Sequence, residues 1–188
     1  MAITNEKPSK SNKLTAKDWL NMAECELSKF GISAVKVEPL AKKLKVTKGS
    51  FYWHFSGREE LFEQLLTSWR VRSTNAIIER LSDANFTAKE QLRELFFLPH
   101  KNIKSINGGA LELAIRNWSQ HDENVKETIN EVDNHRLKFI SDNFKSLGSD
   151  QEEAEIKAYR FYYTMQGYKV VGINMDGCHL EKVFNTLL

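Results

Sequence analysis

The sequence is short of the features that announce most kinds of chemistry. Of its 188 residues only two are cysteines, Cys25 and Cys178. They sit on segments without metal-type spacing, so neither a disulfide framework nor a thiolate metal site is expected, and two reduced thiols fit a cytoplasmic protein. The five histidines, His54, His100, His121, His135 and His179, form no HExxH pair, and the chain has no glycine-rich phosphate loop and no serine elbow. The usual sequence grounds for an enzyme are therefore missing, and no catalytic residue, metal or cofactor is expected. No apolar run approaches the roughly 18 residues that span a bilayer, and Met1 to Asn12 is polar and lysine-bearing, unlike a signal peptide. Segments of strand-like alternation and internal repeats are also absent, which leaves an all-α chain.

Charge of one sign is scarce as well: the net charge is only +2. The two parts of the chain differ, however. Residues 1–72 hold 13 Lys/Arg against 8 Asp/Glu, a balance of +5, and residues 73–188 hold 14 against 17, a balance of −3. An electropositive module carried on a mildly acidic body is the distribution expected of a nucleic-acid-binding domain attached to a domain with another task.

What is present is concentrated in residues 40–62, LAKKLKVTKGSFYWHFSGREELF. Val37, Leu40, Ala41 and Leu44 follow helical spacing and leave Lys42, Lys43 and Lys45 outside the stripe. Val46 plugs a tight turn, and Thr47 is an N-cap for a second helix of about two turns that Ser56-Gly57 stops. In that helix Phe51 and Phe55, four apart, share a core-facing side. Lys48, Gly49, Tyr52, Trp53 and His54 are left outside. Three consecutive rings on the surface of so short a helix point to a partner that covers them. Ser56 and Glu59 form a capping-box pattern that restarts the chain as a long helix at Arg58. This is a helix-turn-helix.

The segment resembles the N-terminal domain of TetR/AcrR-family transcriptional regulators. The resemblance rests on Leu40-Ala41, on Val46-Thr47-Lys48-Gly49-Ser50-Phe51-Tyr52-Trp53-His54-Phe55 and on Arg58-Glu59-Glu60-Leu61, and it covers residues 14–62. Two positions depart from the family pattern. Lys45 stands where the turn usually has glycine, and so has to adopt a left-handed backbone at roughly 1 kcal/mol; Lys36 stands where the second helix usually has a hydroxyl cap. The resemblance implies a three-helix DNA-binding domain at 1–57 and a helical effector-binding and dimerisation domain at 58–188. It implies a homodimeric regulator, a repressor released from a palindromic operator on double-stranded DNA by a small-molecule effector. Thr47, Lys48, Tyr52, His54 and Arg58 would then hold phosphates, Gly49, Ser50 and Trp53 would approach bases, and Lys36, Lys42 and Lys45 would add backbone contacts.

The remaining chain reads as helices from Arg58 to about Leu81, from Thr87 to an interruption at Pro99, from Ala110 to Ser119 after a break at Asn107-Gly108-Gly109, from Glu123 to Leu147, from Asp150 to Val171 and from Leu180 to Leu188. The helix at 150–171 has two apolar stripes. Ala154, Ala158, Phe161, Met165 and Tyr168 form one; Ile156, Tyr159, Tyr163, Gly167 and Val170 form the other. One side can pack in the protomer and the second calls for a partner, so Tyr159, Tyr163, Gly167 and Val170, with Val183, Phe184 and Leu187, are expected at a dimer interface. Phe96, Phe97, Trp118, Phe139, Tyr162 and Met165 are candidates for an effector pocket, with His100 and Arg116 as its polar handles; ordinary core packing is the competing reading for each. The rival to the regulator is an architectural, weakly specific DNA-binding dimer that senses nothing.

Overall fold

The computed structural model describes residues 14–83, 85–100, 108–171 and 175–188, with only the backbone at His100 and Gly108. Among these residues every regular element is helical. Met1 to Asn12 and Asn107, both used above, lie outside the described residues.

Helix α1 (Ala16–Phe30) starts at the expected box: the Thr15 backbone N–H and hydroxyl both donate to Asp18 Oδ2 at 2.7 Å. Trp19, Ala23 and Leu27 are wholly buried, and Gly31 ends the helix at φ 76°, a conformation open to glycine. Phe30, placed on the same stripe, instead stays 62% exposed under the Lys43 ammonium. A 3₁₀ turn (Ile32–Ala34) leads to α2 (Val37–Leu44), and α3 begins at Lys48.

Helix α4 (Arg58–Arg70) departs from expectation in two ways. Its cap is Gly57, and Ser56 pairs with Glu60, not Glu59; the Ser56 N–H and hydroxyl reach Glu60 Oε2 at 2.6 and 2.7 Å. Nor does it run unbroken to Leu81. A π-helical turn (Val71–Asn75), in which the Ala76 N–H donates to the Val71 carbonyl five residues back, separates it from α5 (Ala76–Asp83). The buried positions step by four through Leu61, Leu65 and Trp69 and then by five to Thr74. The extra residue is absorbed without losing the inward face.

Thr87 and Glu90 form the expected box at α6 (Ala88–Phe97), which Pro99 ends in a 3₁₀ turn. Helices α7 (Gly108–Trp118), α8 (Glu123–Ser146), α9 (Gln151–Val171) and α10 (Gly177–Leu187) complete the body. Two apolar clusters hold the molecule together. The first joins α1 and α2, through Phe51 and Phe55, to Leu61, Leu65 and Trp69 of α4 and on to Leu111, Ile115 and Trp118 of α7 and Val125, Ile129 and Val132 of α8. The second joins α6 to the far half of α8, to α9 and to α10. Helix α8, about 36 Å long at 1.5 Å per residue, is thus shared by both.

Candidate nucleic-acid interface

The turn between α2 and α3 is set by Lys45, which adopts φ 57° and ψ 40°, the left-handed conformation its position demands. The Val46 N–H then closes on the Ala41 carbonyl at 3.0 Å. Thr47 occupies the N-cap of α3 (Lys48–Phe51) with extended backbone, but its hydroxyl makes no cap bond; the Ser50 N–H bonds the Thr47 carbonyl instead. Regular helix ends after four residues, shorter than the two turns expected, and residues 52–54 continue as a turn.

Under this segment lies an aromatic base. Phe51 and Phe55 stack at 5.1 Å, and Trp19 meets Phe51 edge-on at 5.3 Å. Both phenylalanines are buried, as their spacing requires. Such pairs contribute about 0.5–1.5 kcal/mol each beyond area burial, and they fix the short helix where its length alone could not. Opposite them Tyr52 is 53% and Trp53 78% exposed, with Thr47, Lys48 and Gly49 beside them. A Cβ added at Gly49 would meet only Thr47 Oγ1, at 3.7 Å, so the protomer has room for a side chain there. Lys36 and Lys45 are also exposed. Lys48 Nζ pairs with Glu38 Oε1 at 2.5 Å, which lowers the Glu38 carboxyl below, and raises the lysine above, their ordinary ranges.

Arg58 is the exception among the expected contacts. Its Nε donates to the Val35 carbonyl at 2.8 Å, its Nη2 to the Ile32 carbonyl at 3.1 Å, and its guanidinium lies 4.6 Å from the Phe62 ring centroid. The side chain expected to hold a phosphate is thus engaged within the fold of the protomer. Arg58 ties the 3₁₀ turn ahead of α2 to α4, bonding the Val35 carbonyl and adding a second donor to the Ile32 carbonyl, which also accepts the Val35 N–H.

Behind the reading head, the expected pocket residues are dispersed. A cavity of about 270 Å³ lies between α6, α9 and α10. Phe96 and Met165 line it as expected, and so do Tyr168, Leu180, Met175 and Pro99, which give it an apolar wall. Gly167 and Val183, assigned to the dimer interface, also line this cavity. Phe97 packs on Phe96 and Phe184, Phe139 is half-buried on the second core, and Trp118 meets Phe62 edge-on at 4.9 Å in the first; none of the three reaches the cavity. The His100 side chain lies outside the described residues.

Arg116, expected as a polar handle, and Tyr162, expected in the pocket wall, do not line this cavity and are members of a buried polar cluster. Glu112 Oε1 accepts from Arg136 Nη1 at 2.7 Å and from Arg116 Nη2 at 2.9 Å, and Glu112 Oε2 from Lys169 Nζ at 3.1 Å. Asp133 accepts from Arg116 at 2.6 and 2.9 Å and from the Tyr162 hydroxyl at 2.6 Å. Burial by itself would raise the Glu112 carboxyl, but Arg136, Lys169 and Arg116 hold it far below the usual range. Burial likewise depresses Lys169 and pushes the Tyr162 phenol up to about 12. Sequence reading singled out only Arg116 and Tyr162, because pairing across α7, α8 and α9 leaves no local pattern; Glu112 inside the apolar run Ala110–Ile115 was the one available signal.

On α9, Ile156, Tyr159, Tyr163 and Val170 are 47–66% exposed, with the Tyr159 and Tyr163 rings 5.8 Å apart. Phe184 and Leu187 of α10 are buried in the second core. Their assignment to a dimer face is therefore corrected: α10 turns its apolar side inward onto α6 and α9.

Residues 20–65 match the sequence profile of the bacterial regulatory proteins, tetR family. Over nearly the whole chain the fold resembles a transcriptional regulator from Rhodococcus sp. RHA1 (TM-score 0.72, 18% identity, 93% of this chain and 94% of that one). It also resembles a TetR transcriptional regulator from Legionella pneumophila (TM-score 0.68, 18% identity, 98% and 97%) and the reduced form of Escherichia coli NemR (TM-score 0.70, 15% identity, 93% and 96%).

Proposed function

We propose that this protein is a homodimeric, sequence-specific repressor, because its helix-turn-helix module matches the profile of the tetR family of bacterial regulatory proteins and its fold resembles that of such regulators over nearly the whole chain. It reads a palindromic operator and releases it when a small apolar molecule enters the body. The observation that carries this reading is the exposure of Tyr52 and Trp53, beside Lys48, over a fully buried aromatic base. A short, rigid, partly aromatic head with cationic flanks can enter a groove while Lys36, Lys45, Thr47, Lys48, Tyr52 and His54 meet phosphates and Gly49, Ser50 and Trp53 approach base edges. Residues 1–57 form the reader, and residues 58–188 sense and dimerise. The dimer face is the exposed stripe of α9, since contiguous apolar surface of that kind is seldom left in water. The effector site is the cavity between α6, α9 and α10, whose apolar wall suits a compact, largely apolar molecule.

Selection of bound sites from a random duplex pool, followed by footprinting, tests the reading. One palindrome protected over two half-sites about 34–36 Å apart is expected. Affinity should fall about 10³–10⁵-fold between 50 and 200 mM salt if roughly 6–10 phosphates are neutralised. Uniform coating of any duplex would replace the repressor by the architectural reading.

A further inference from the structure

On the reading that the protein is a DNA-binding dimer, we propose that the π-helical turn Val71–Asn75 is the joint that sets the pose of the reading domain, with Arg72 and Arg136 as its positioning residues. The turn is gripped from both sides. Arg72 Nη2 bonds Glu24 Oε1 at 2.5 Å, and Glu24, on α1 of the reader, is only 2% exposed. From the body, Arg136 Nε bonds Thr74 Oγ1 at 2.9 Å and its Nη2 bonds the Ser73 carbonyl at 3.3 Å.

These contacts hold the wide turn open. Arg136 meets the Thr74 hydroxyl and the Ser73 carbonyl together, so one side chain from α8 holds two consecutive residues of the π turn. Arg136 is in turn held by Glu112 of α7 and by Tyr162 of α9 at 3.2 Å. Tyr162 lies one turn before Met165 and nearly two before Tyr168, both of which line the cavity. An occupant that displaces α9 therefore reaches Arg136 through a single hydroxyl, and Arg136 is bonded directly to the joint. The reader answers through Arg72 and Glu24. The turn has two discrete arrangements available, π and α, and their exchange would rotate all that precedes it by about 100° of helix if the flanks did not resist; the packed flanks convert that tendency into a shift of pose.

Deletion of Asn75 is the direct test, since removing one residue lets the π turn close as α-helix while α4 and α5 keep their faces. The expected variant retains its helicity and its affinity for a single half-site duplex, but loses tenfold or more in affinity for the selected palindrome, or prefers a spacer one or two base pairs different. Equal loss on half-site and palindrome would overturn the proposal, because the turn would then shape the reader itself. Unchanged binding to both would overturn it as well. Absence of any DNA binding by the unmodified protein would instead refute the proposed function. Should the deletion fail to fold, hydrogen exchange of the unmodified protein decides: operator binding is expected to alter protection at residues 71–76 and leave the middle of α8 unchanged, and no change at 71–76 overturns the proposal.

Discussion

Lys45 and Glu112 show what single residues contribute here. A lysine at φ 57° bears a conformational cost that glycine would not, and its side chain is exposed. Lys45→Gly is therefore expected to stabilise the fold by up to about 1 kcal/mol in denaturant unfolding, an upper bound because glycine also loosens the unfolded chain. The position was legible from sequence, since a basic residue replaced glycine at a turn whose register the neighbours fixed. Glu112 is the opposite case: it receives three cations in a site nearly closed to solvent, and Glu112→Gln would leave Arg136 and Lys169 without their counter-charge. A loss of about 3–5 kcal/mol is expected. Because its folded pKa lies below its unfolded value of 4.5, Glu112 contributes stability that is present above about pH 4.5 and lost as the pH falls further. Thermal unfolding from pH 7 down to about pH 3 should accordingly steepen for the native protein and be flatter for Glu112→Gln.

At the scale of elements, sequence periodicity and capping residues located the helices because both signals are local. Thr15 with Asp18, Thr87 with Glu90, and Gly31 all act within one turn of the chain. The π turn was invisible for the same reason: its stabilising partner, Arg136, lies 62 residues beyond Thr74. The internal bonds of Arg58 were not legible, because its position at a helix N-terminus suits a phosphate ligand, whereas the two carbonyls it bonds belong to a turn whose geometry no pattern specifies. Arg58→Met should thus lower stability and operator affinity together, leaving the slope of affinity against salt nearly as it was; a slope reduced by about one phosphate per protomer with stability unchanged would restore the contact role. Across α2 and α3, Glu38 holds Lys48 in the free protein. Glu38→Gln releases that lysine, so binding to all duplexes should tighten and the salt slope should steepen, which filter binding at several salt concentrations would read.

For the whole molecule, the two sides of α9 separate what holds the protomer together from what the proposed dimer would use. Ala154, Ala158, Phe161 and Met165 face inward and are buried, whereas Ile156, Tyr159, Tyr163 and Val170 form an exposed line along the other side. Both stripes were readable from sequence; that Phe184 and Leu187 join the inner one was not, because the direction α10 faces depends on α6 closing over it. This contrast separates folding from assembly. Tyr163→Asp changes a side chain that is 65% exposed in the protomer, so the protomer should keep its thermal stability. In the dimer the same change buries an unpaired charge at the interface, and a loss of at least about 2 kcal/mol, roughly thirtyfold in dimer affinity, is expected. Phe184→Ala should do the reverse, costing about 3–5 kcal/mol of protomer stability through the cavity it leaves in the second core. Sedimentation equilibrium and thermal melts of the two variants distinguish these effects. A native protein that sediments as a monomer at micromolar concentration, with Tyr163→Asp unchanged in palindrome affinity, would remove α9 as the dimer face and with it the two-fold reading of the operator.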